Sequence, residues 1–491
     1  MRPRLVQLTR LTAGYSLVSL AGPFFTILLT PLYTRVLHPA DYAVLDTTTT
    51  LGILMFTLAM LGLNAAASVF FYDGDEAHGR RVVSTAAVVG VAWSLLIALV
   101  VAAIALPLAA FSLGSPRQAI LLYLSALNLP FAVFYGVVQS ALRLKLAVKR
   151  ANALALAYLL LTAGLNILFV LVLRWGVFGI QLAISITTLV LAAAGGALTW
   201  RDTWGRPSWD LAGPLVRTGL PFMPASLSFW ALAYVDRLLL PSYAVTLGDR
   251  GQYAIANKLA SMLAVVIVPF QSAWGPLALS MQHDPDARRT YGKVLTYFVA
   301  ISLGLALALG LFAREVLLIF TTREYAAAAP FVALLAYVAV ANGANVAVGV
   351  GAYIVKRTAM IGWTTMIAAG VNLVLNVLLI PRLGVWGAVW ATALGYIAAP
   401  VALYVASQRV YPVPFEPRKV LAALAVQAAL LLAGLWLTTG NFWVDAALKL
   451  LLLLVYLIAL MMLGVLEPHE IRALLQLLSR PRAALAARVR R

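Results

Sequence analysis

Long apolar runs alternate with short polar joints along almost the whole chain. A helix crossing a bilayer needs roughly 20 apolar residues, and about fourteen such runs can be drawn. They lie at 11–33, 43–71, 82–111, 118–142, 151–173, 177–200, 216–247, 251–281, 294–313, 327–355, 358–381, 384–408, 419–438 and 446–466. The first run follows Arg2, Arg4 and Arg10 as a signal peptide would, but it is too long and ends without a small-residue cleavage site. It is therefore read as a retained span.

The joints carry an internal repeat. Arg174-Trp175-Gly176-Val177-Phe178-Gly179 and Arg382-Leu383-Gly384-Val385-Trp386-Gly387 share one spelling, and each lies between two apolar runs. Tyr42-Ala43-Val44-Leu45-Asp46 and Tyr253-Ala254-Ile255-Ala256-Asn257 repeat at nearly the same offset. Two halves of six spans each are expected, entering the membrane from the same side and related by a pseudo-twofold axis along its normal. The predicted fold class is an all-α polytopic membrane protein. It divides into an N-lobe at 1–200, a cytoplasmic linker at 201–217, a C-lobe at 218–408, two further spans in 409–466 and a basic tail at 467–491. That tail has arginines among leucines, so it is expected to lie as an amphipathic helix on the membrane surface. Prolines set spans 1 and 7 apart: Pro23 and Pro31 in the first, Pro221, Pro224 and Pro241 in the seventh. Broken helices at matching places of two repeats point to a binding region or a moving element.

Composition agrees with a membrane solvent: 63% of residues are hydrophobic and 11% charged, with a mean hydropathy of +0.94. The net charge of +19 would point to nucleic acid in a soluble protein. Placing the N-terminus inside and alternating puts 26 of the 36 cations on inner loops and tail and 8 on outer loops. Arg237 and Lys258 fall within spans. This asymmetry is the positive-inside rule, which predicts both termini in the cytoplasm and removes the argument for nucleic acid. There is no cysteine, and the four histidines fall in separate loops and the tail, so no metal site is expected. No phosphate-binding loop or nucleophile elbow occurs, so neither an enzyme nor a bound cofactor is predicted.

A cation at the centre of a span costs about 2.5–3.5 kcal/mol on insertion scales, so Arg237 and Lys258 are the leading substrate-binding candidates. Asp236 and Asp46 are acids within spans. Neighbours on a helix point about 100° apart, so Asp236 is expected to pair with Lys258 or another span rather than with Arg237. Arg35 ends span 1 on the outer side. Arg143 and Lys145 end span 4, and Lys356 and Arg357 end span 10, where they could form a cationic inner vestibule. Asn64, Asn166, Asn372 and Asn376 are expected to bond between helices.

Four motifs stand in order along the chain: Pro31-Leu32-Tyr33-Thr34-Arg35 through Tyr42, and Leu61-Gly62-Leu63-Asn64 leading to Arg80-Arg81-Val82-Val83-Ser84-Thr85. Then come Val235-Asp236-Arg237-Leu238 through Tyr253 and Lys258, and Asn372-Leu373 with Asn376 leading to Pro381-Arg382-Leu383-Gly384. With them the chain resembles the polysaccharide flippase family, transporters of O-antigen and exopolysaccharide repeat units, within the multidrug, oligosaccharidyl-lipid and polysaccharide exporter superfamily. Where family members often carry an arginine after the Gly-Leu-Asn of span 2, this chain has Ser68 and Val69. The resemblance implies movement of a polyprenyl-pyrophosphate-linked oligosaccharide from the inner to the outer leaflet of a prokaryotic plasma membrane, by alternating access of the lobes. It also implies contact with membrane lipids and with glycan-assembly proteins. Proton or sodium coupling would run through Asp46 or Asp236. The alternatives are a multidrug cation antiporter of the same superfamily and a non-transport membrane protein of glycan assembly.

Overall fold

In hydrocarbon a backbone N–H or C=O has no water to bond, so apolar runs close their hydrogen bonds internally as helices. The computed structural model describes residues 29–437 and 439–466. No strand occurs among them. The second expected span is broken into α1 (Pro39–Met60) and α2 (Leu63–Phe70). It is followed by α3 (Glu76–Ser112), α4 (Ala119–Leu144), α5 (Val148–Asn166) and α6 (Gly176–Thr203). The seventh consists of α7 (Trp209–Gly219) and α8 (Met223–Leu239), with 3-10 turns at Leu220–Phe222 and Leu240–Tyr243. Pro221 and Pro241 sit in those turns, where the missing N–H interrupts the α ladder. The eighth comprises α9 (Leu247–Ala260) and α10 (Ala264–Ser280), separated by a 3-10 turn at Ser261–Leu263. Next come α11 (Ala287–Leu311), α12 (Ala313–Phe320), α13 (Ala329–Val348) and α14 (Val350–Ile354). The chain continues as α15 (Ala359–Leu383), α16 (Val385–Gln408), α17 (Pro417–Trp436) and α18 (Phe442–Met462).

Twelve stretches among the described residues are long and apolar enough to cross a membrane. They coincide with twelve of the fourteen expected runs. Of the other two, the first lies mostly outside the described residues, as does the tail beyond 466. The seventh is not one continuous apolar helix, since α8 has only 17 residues. Most of the stretch expected as linker, 201–217, is helical: α6 runs to Thr203 and α7 starts at Trp209.

The repeated spellings have repeated geometry. Gly176 and Gly384 both take a positive φ, of 55° and 56°, at the tight turn between two packed helices. Three residues later, a Cβ on Gly179 would lie 3.0 Å from Phe169 Cβ, and one on Gly387 only 2.4 Å from the Leu379 carbonyl carbon. The first glycine makes the turn and the second lets the returning helix touch the one it left. A third pair was not anticipated. Leu146 and Lys356 end α4 and α14 with φ of 55° and 57°, each followed by a backbone bond spanning five residues, Ala147 to Leu142 and Arg357 to Ala352. Those bonds satisfy carbonyls that a helix end leaves open.

The last two helices are pinned to the C-terminal half. The Tyr456 hydroxyl of α18 donates to Ala300 O of α11 at 2.8 Å, Tyr337 of α13 bonds the buried Gln427 of α17, and Lys449 of α18 bonds Glu315 of α12 at 2.5 Å. Lys449, one of the eight cations counted as outer although it falls inside the 446–466 run, is thus a buried helical residue.

Candidate functional site

The helix ends and joints bearing Arg35, Arg117, Arg174, Arg314 and Arg382 mark a cation-poor end of the bundle, and those bearing Arg80, Arg143, Arg206, Arg289 and Arg357 a cation-rich end. At the cation-poor end the two halves meet closely. A Cβ on Gly251, in the first turns of α9, would lie 1.8 Å from the carbonyl oxygen of Pro39, the first residue of α1. Tyr325 donates to Leu37 O at 2.8 Å, Thr34 to Phe320 O at 3.0 Å, and His38 meets Glu324 at 2.9 Å. Arg250, expected in a loop, is 6% exposed and donates to Thr47 Oγ1 at 2.9 Å and to Ser112 O at 2.6 Å across the same boundary. Towards the cation-rich end the helices take separate courses. The chain bends at Leu61 and Gly62, both in the left-handed region, and α2 packs on α3, α4 and α7. After the 3-10 turn at Ser261–Leu263, α10 packs on α11, α13 and α14.

Arg237 lies just beneath the closed end, in the last turn of α8. Its Nε donates to Asp46 Oδ2 of α1 at 2.9 Å, and its Nη1 to Asp236 Oδ1 at 2.9 Å and to Ala233 O at 2.7 Å. The rings of Tyr234 and Tyr253 face its guanidinium at 5.2 and 5.4 Å. Asp236 also accepts from the Tyr253 hydroxyl of α9 and from Thr392 Oγ1 of α16, the latter at 3.2 Å. One cation is thus held by two carboxylates in a network joining α1, α8, α9 and α16. Asp236 does reach other spans, through Tyr253 and Thr392, but it does not pair with Lys258, and its ion pair is with Arg237. Although side chains one residue apart point to different sides of the helix, the guanidinium folds back along its own helix to Ala233, and this brings it to Asp236.

Lys258, in the last turn of α9, is half-buried and makes no ion pair among the described residues. Ser261 donates to its carbonyl at 2.5 Å, so it sits where α9 gives way to the 3-10 turn. Arg35 is exposed beside the closed end. At the cation-rich end Arg143, Lys356 and Arg357 are exposed, and none has an ion pair among the described residues. Lys145 is engaged, bonding Asp202 O and lying 3.8 Å from Glu76. Burial works to raise the Asp202 carboxyl, but hydrogen bonds from Arg150 and Thr203 outweigh it and hold the group below the usual carboxylate range. Of the asparagines, Asn372 bonds between helices, donating to Ala391 O at 3.1 Å. Thr392 and Tyr253 complete the Arg237 network and were not singled out as site residues. A threonine or tyrosine in a span gives no charge signal.

A family model described as polysaccharide biosynthesis protein matches residues 8–283. The chain belongs to that family. No curated protein matches this family member. Among solved structures it is similar to "Lipid II flippase MurJ, inward closed conformation", with a TM-score of 0.71 at 13% identity over 91% of this chain and 97% of that one. It is also similar to the inward-facing conformation of a multidrug resistance MATE family transporter of the MOP superfamily. There the TM-score is 0.58 at 18% identity over 80% of this chain and 97% of that one. The outward-facing conformation of such a transporter matches at 0.55 and 17% identity over 81% and 95%. At these identities the likeness is one of fold. This member of the polysaccharide biosynthesis family shares its fold with those transporters.

Proposed function

We propose that the protein is a flippase that moves polyprenyl-pyrophosphate-linked oligosaccharide repeat units from the inner to the outer leaflet of a prokaryotic plasma membrane. The observation that carries this reading is the polysaccharide-biosynthesis match laid on a transporter fold. The closed contact between the halves at the cation-poor end supports it. With both termini cytoplasmic, the cation-rich end faces inside. The path proposed between the lobes 1–200 and 218–408 then opens towards the leaflet where the substrate is made. The exposed Arg143, Lys356 and Arg357 collect the pyrophosphate at that mouth. Lys258, unpaired at the roof, receives it, and Arg35 meets it on the far side. Arg237, already neutralised by Asp46 and Asp236, serves as the latch between the halves. Outward movement of an anionic headgroup is driven by an inside-negative potential, worth about 2.3 kcal/mol per charge per 100 mV. If an ion gradient contributes, Asp46 is the group that opening would release to take up a proton or sodium.

The test is flipping in proteoliposomes, with a fluorescent polyprenyl-pyrophosphate oligosaccharide loaded on one leaflet and a membrane-impermeant quencher outside. The expected result is protein-dependent exposure of the headgroup that quickens with potential. Equal exposure in protein-free vesicles would overturn the proposal. Proton-driven efflux of a cationic dye in its place would favour the multidrug antiporter reading. The MATE likeness alone favours that reading, whereas Asp46 and Asp236 are both paired with Arg237 and leave no uncompensated carboxylate in that network to attract a cation.

A further inference from the structure

The N-terminal half carries an open groove on its membrane face, between α3, α4 and α6. It encloses about 740 Å³ and is lined almost wholly by apolar side chains, among them Val88, Phe134, Gly196 and Trp200. The repeat gives it a counterpart. Ser84, Val88 and Ala92 of the groove precede Leu295, Val299 and Leu303 by 211 residues, and Ala193 and Gly196 precede Val401 and Tyr404 by 208. These are the offsets that separate Tyr42 from Tyr253 and Gly176 from Gly384. In the C-terminal half the equivalent surface is covered by α17, whose Val420, Leu421 and Leu424 face it, leaving about 320 Å³.

The covering segment supplies two things. Its side chains fill the slot, and Glu416 at its start brings an anion to the cation-rich mouth, bonded to Thr296 at 3.1 Å and to Lys419 at 2.8 Å. The groove in the N-terminal half has neither among the described residues. After α6 the chain crosses the mouth through Gly205 and Pro207, bonded to Ser84 and, through Ser208, to Thr85, each at 2.9 Å. It then leaves as α7 to pack on α2 and α3. Arg81, Arg201 and Arg206 at this mouth are exposed and have no ion pair among the described residues, while Arg80 is paired with Glu76 at 3.3 Å. Trp200, 72% exposed at the same level, is an interfacial anchor.

We propose that this groove binds an anionic phospholipid of the cation-rich leaflet, an acyl chain taking the place that α17 fills in the other half and the headgroup taking the place of Glu416. A cation near the membrane surface attracts anionic lipid, and an apolar slot open to the bilayer accepts a chain without disturbing the fold. The site lies on a different face from the Arg237 network, so it is independent of the flippase reading.

Native mass spectrometry of the full-length protein released from phosphatidylglycerol or phosphatidylcholine micelles tests it. The expected result is one phosphatidylglycerol retained per chain, in preference to phosphatidylcholine. In Arg201→Gln/Arg206→Gln, both exposed changes, that preference should fall by about tenfold or more. In Ala193→Phe, which fills the slot from an exposed position, both lipids should be lost while the melting temperature is kept. Equal retention of the two lipids by the unaltered protein would overturn the proposal. So would an unchanged preference in the double variant, or displacement of phosphatidylglycerol by an equimolar polyprenyl phosphate. A partner's transmembrane helix as the true occupant would show as lipid retention insensitive to Ala193→Phe.

Discussion

At the cation-poor end α1 and α9 touch backbone to backbone, whereas towards the cation-rich end their continuations α2 and α10 part company, although α2 stays packed on α7 and Gly62 touches Gly219. The contrast is built into the same two spans, since α1 meets α9 but α2 and α10 follow different neighbours. The close end leaves no room for a side chain at Gly251. The divergent end begins at Gly62, whose positive φ lets the helix change course. Contact and divergence therefore sit about six helical turns apart on the first of these spans and about three on the second. On the proposed mechanism opening breaks the close end, so the strength of that end would set which state is favoured.

The comparison breaks most sharply at Gly251. Gly251→Val would drive a branched side chain into the Pro39 carbonyl, and a loss of more than about 4 kcal/mol is expected, read as a large drop in thermal midpoint. The same change at Gly384, where nothing lies within 4 Å of a Cβ, strains only the turn and should cost less.

Next in size is the latch. Arg237→Gln leaves Asp46 and Asp236 without their cation, and removing one partner of a buried pair costs about 3–5 kcal/mol. If instead the variant melts normally but fails to transport, Arg237 belongs to the substrate and not to the latch. A triple change that also neutralises Asp46 and Asp236 should restore most of the stability.

Lys258→Gln sharpens the contrast from the other side. With no ion pair to break, its stability should move by less than about 0.5 kcal/mol, while headgroup flipping falls at least about tenfold, as expected when a charge-assisted contact to pyrophosphate is lost. Normal flipping by this variant would remove Lys258 from the substrate path.

The smallest effect is that of pH on His38. Its hydrogen bond to Glu324, with the charge of that carboxylate, raises the His38 pKa above its ordinary value. The contact is therefore complete below about pH 6.5 and is lost as pH rises through the raised value. Hydrogen exchange at the cation-poor end should quicken slightly over that range, and His38→Gln should abolish the dependence.

Much of this was legible in the residues. The Arg-x-Gly-Val-aromatic-Gly spelling marked a turn and a close helix contact, because only glycine satisfies both demands at once. The apolar runs located the helices, because a membrane leaves the backbone no alternative. What escaped depended on side chains reaching beyond their own helix. Arg250 and Lys449 were assigned to loops by their charge, yet long stems carry them to Thr47 and Glu315 inside the bundle. The Asp236–Arg237 contact escaped because helical spacing describes where Cβ vectors point, not where a guanidinium at a helix end folds. The groove in the N-terminal half needed the repeat offset and the packing of α17 together.

The bonds that pin α17 and α18 to the C-terminal half bear on how a rocking motion would be shared. Two bodies turning against each other in a viscous sheet divide the rotation in inverse proportion to their drag, and drag grows with embedded perimeter. With Tyr456, Gln427 and Lys449 fastening two extra helices to it, the C-terminal half would be the stator of such a motion, and the N-terminal half the rotor that sweeps through the lipid.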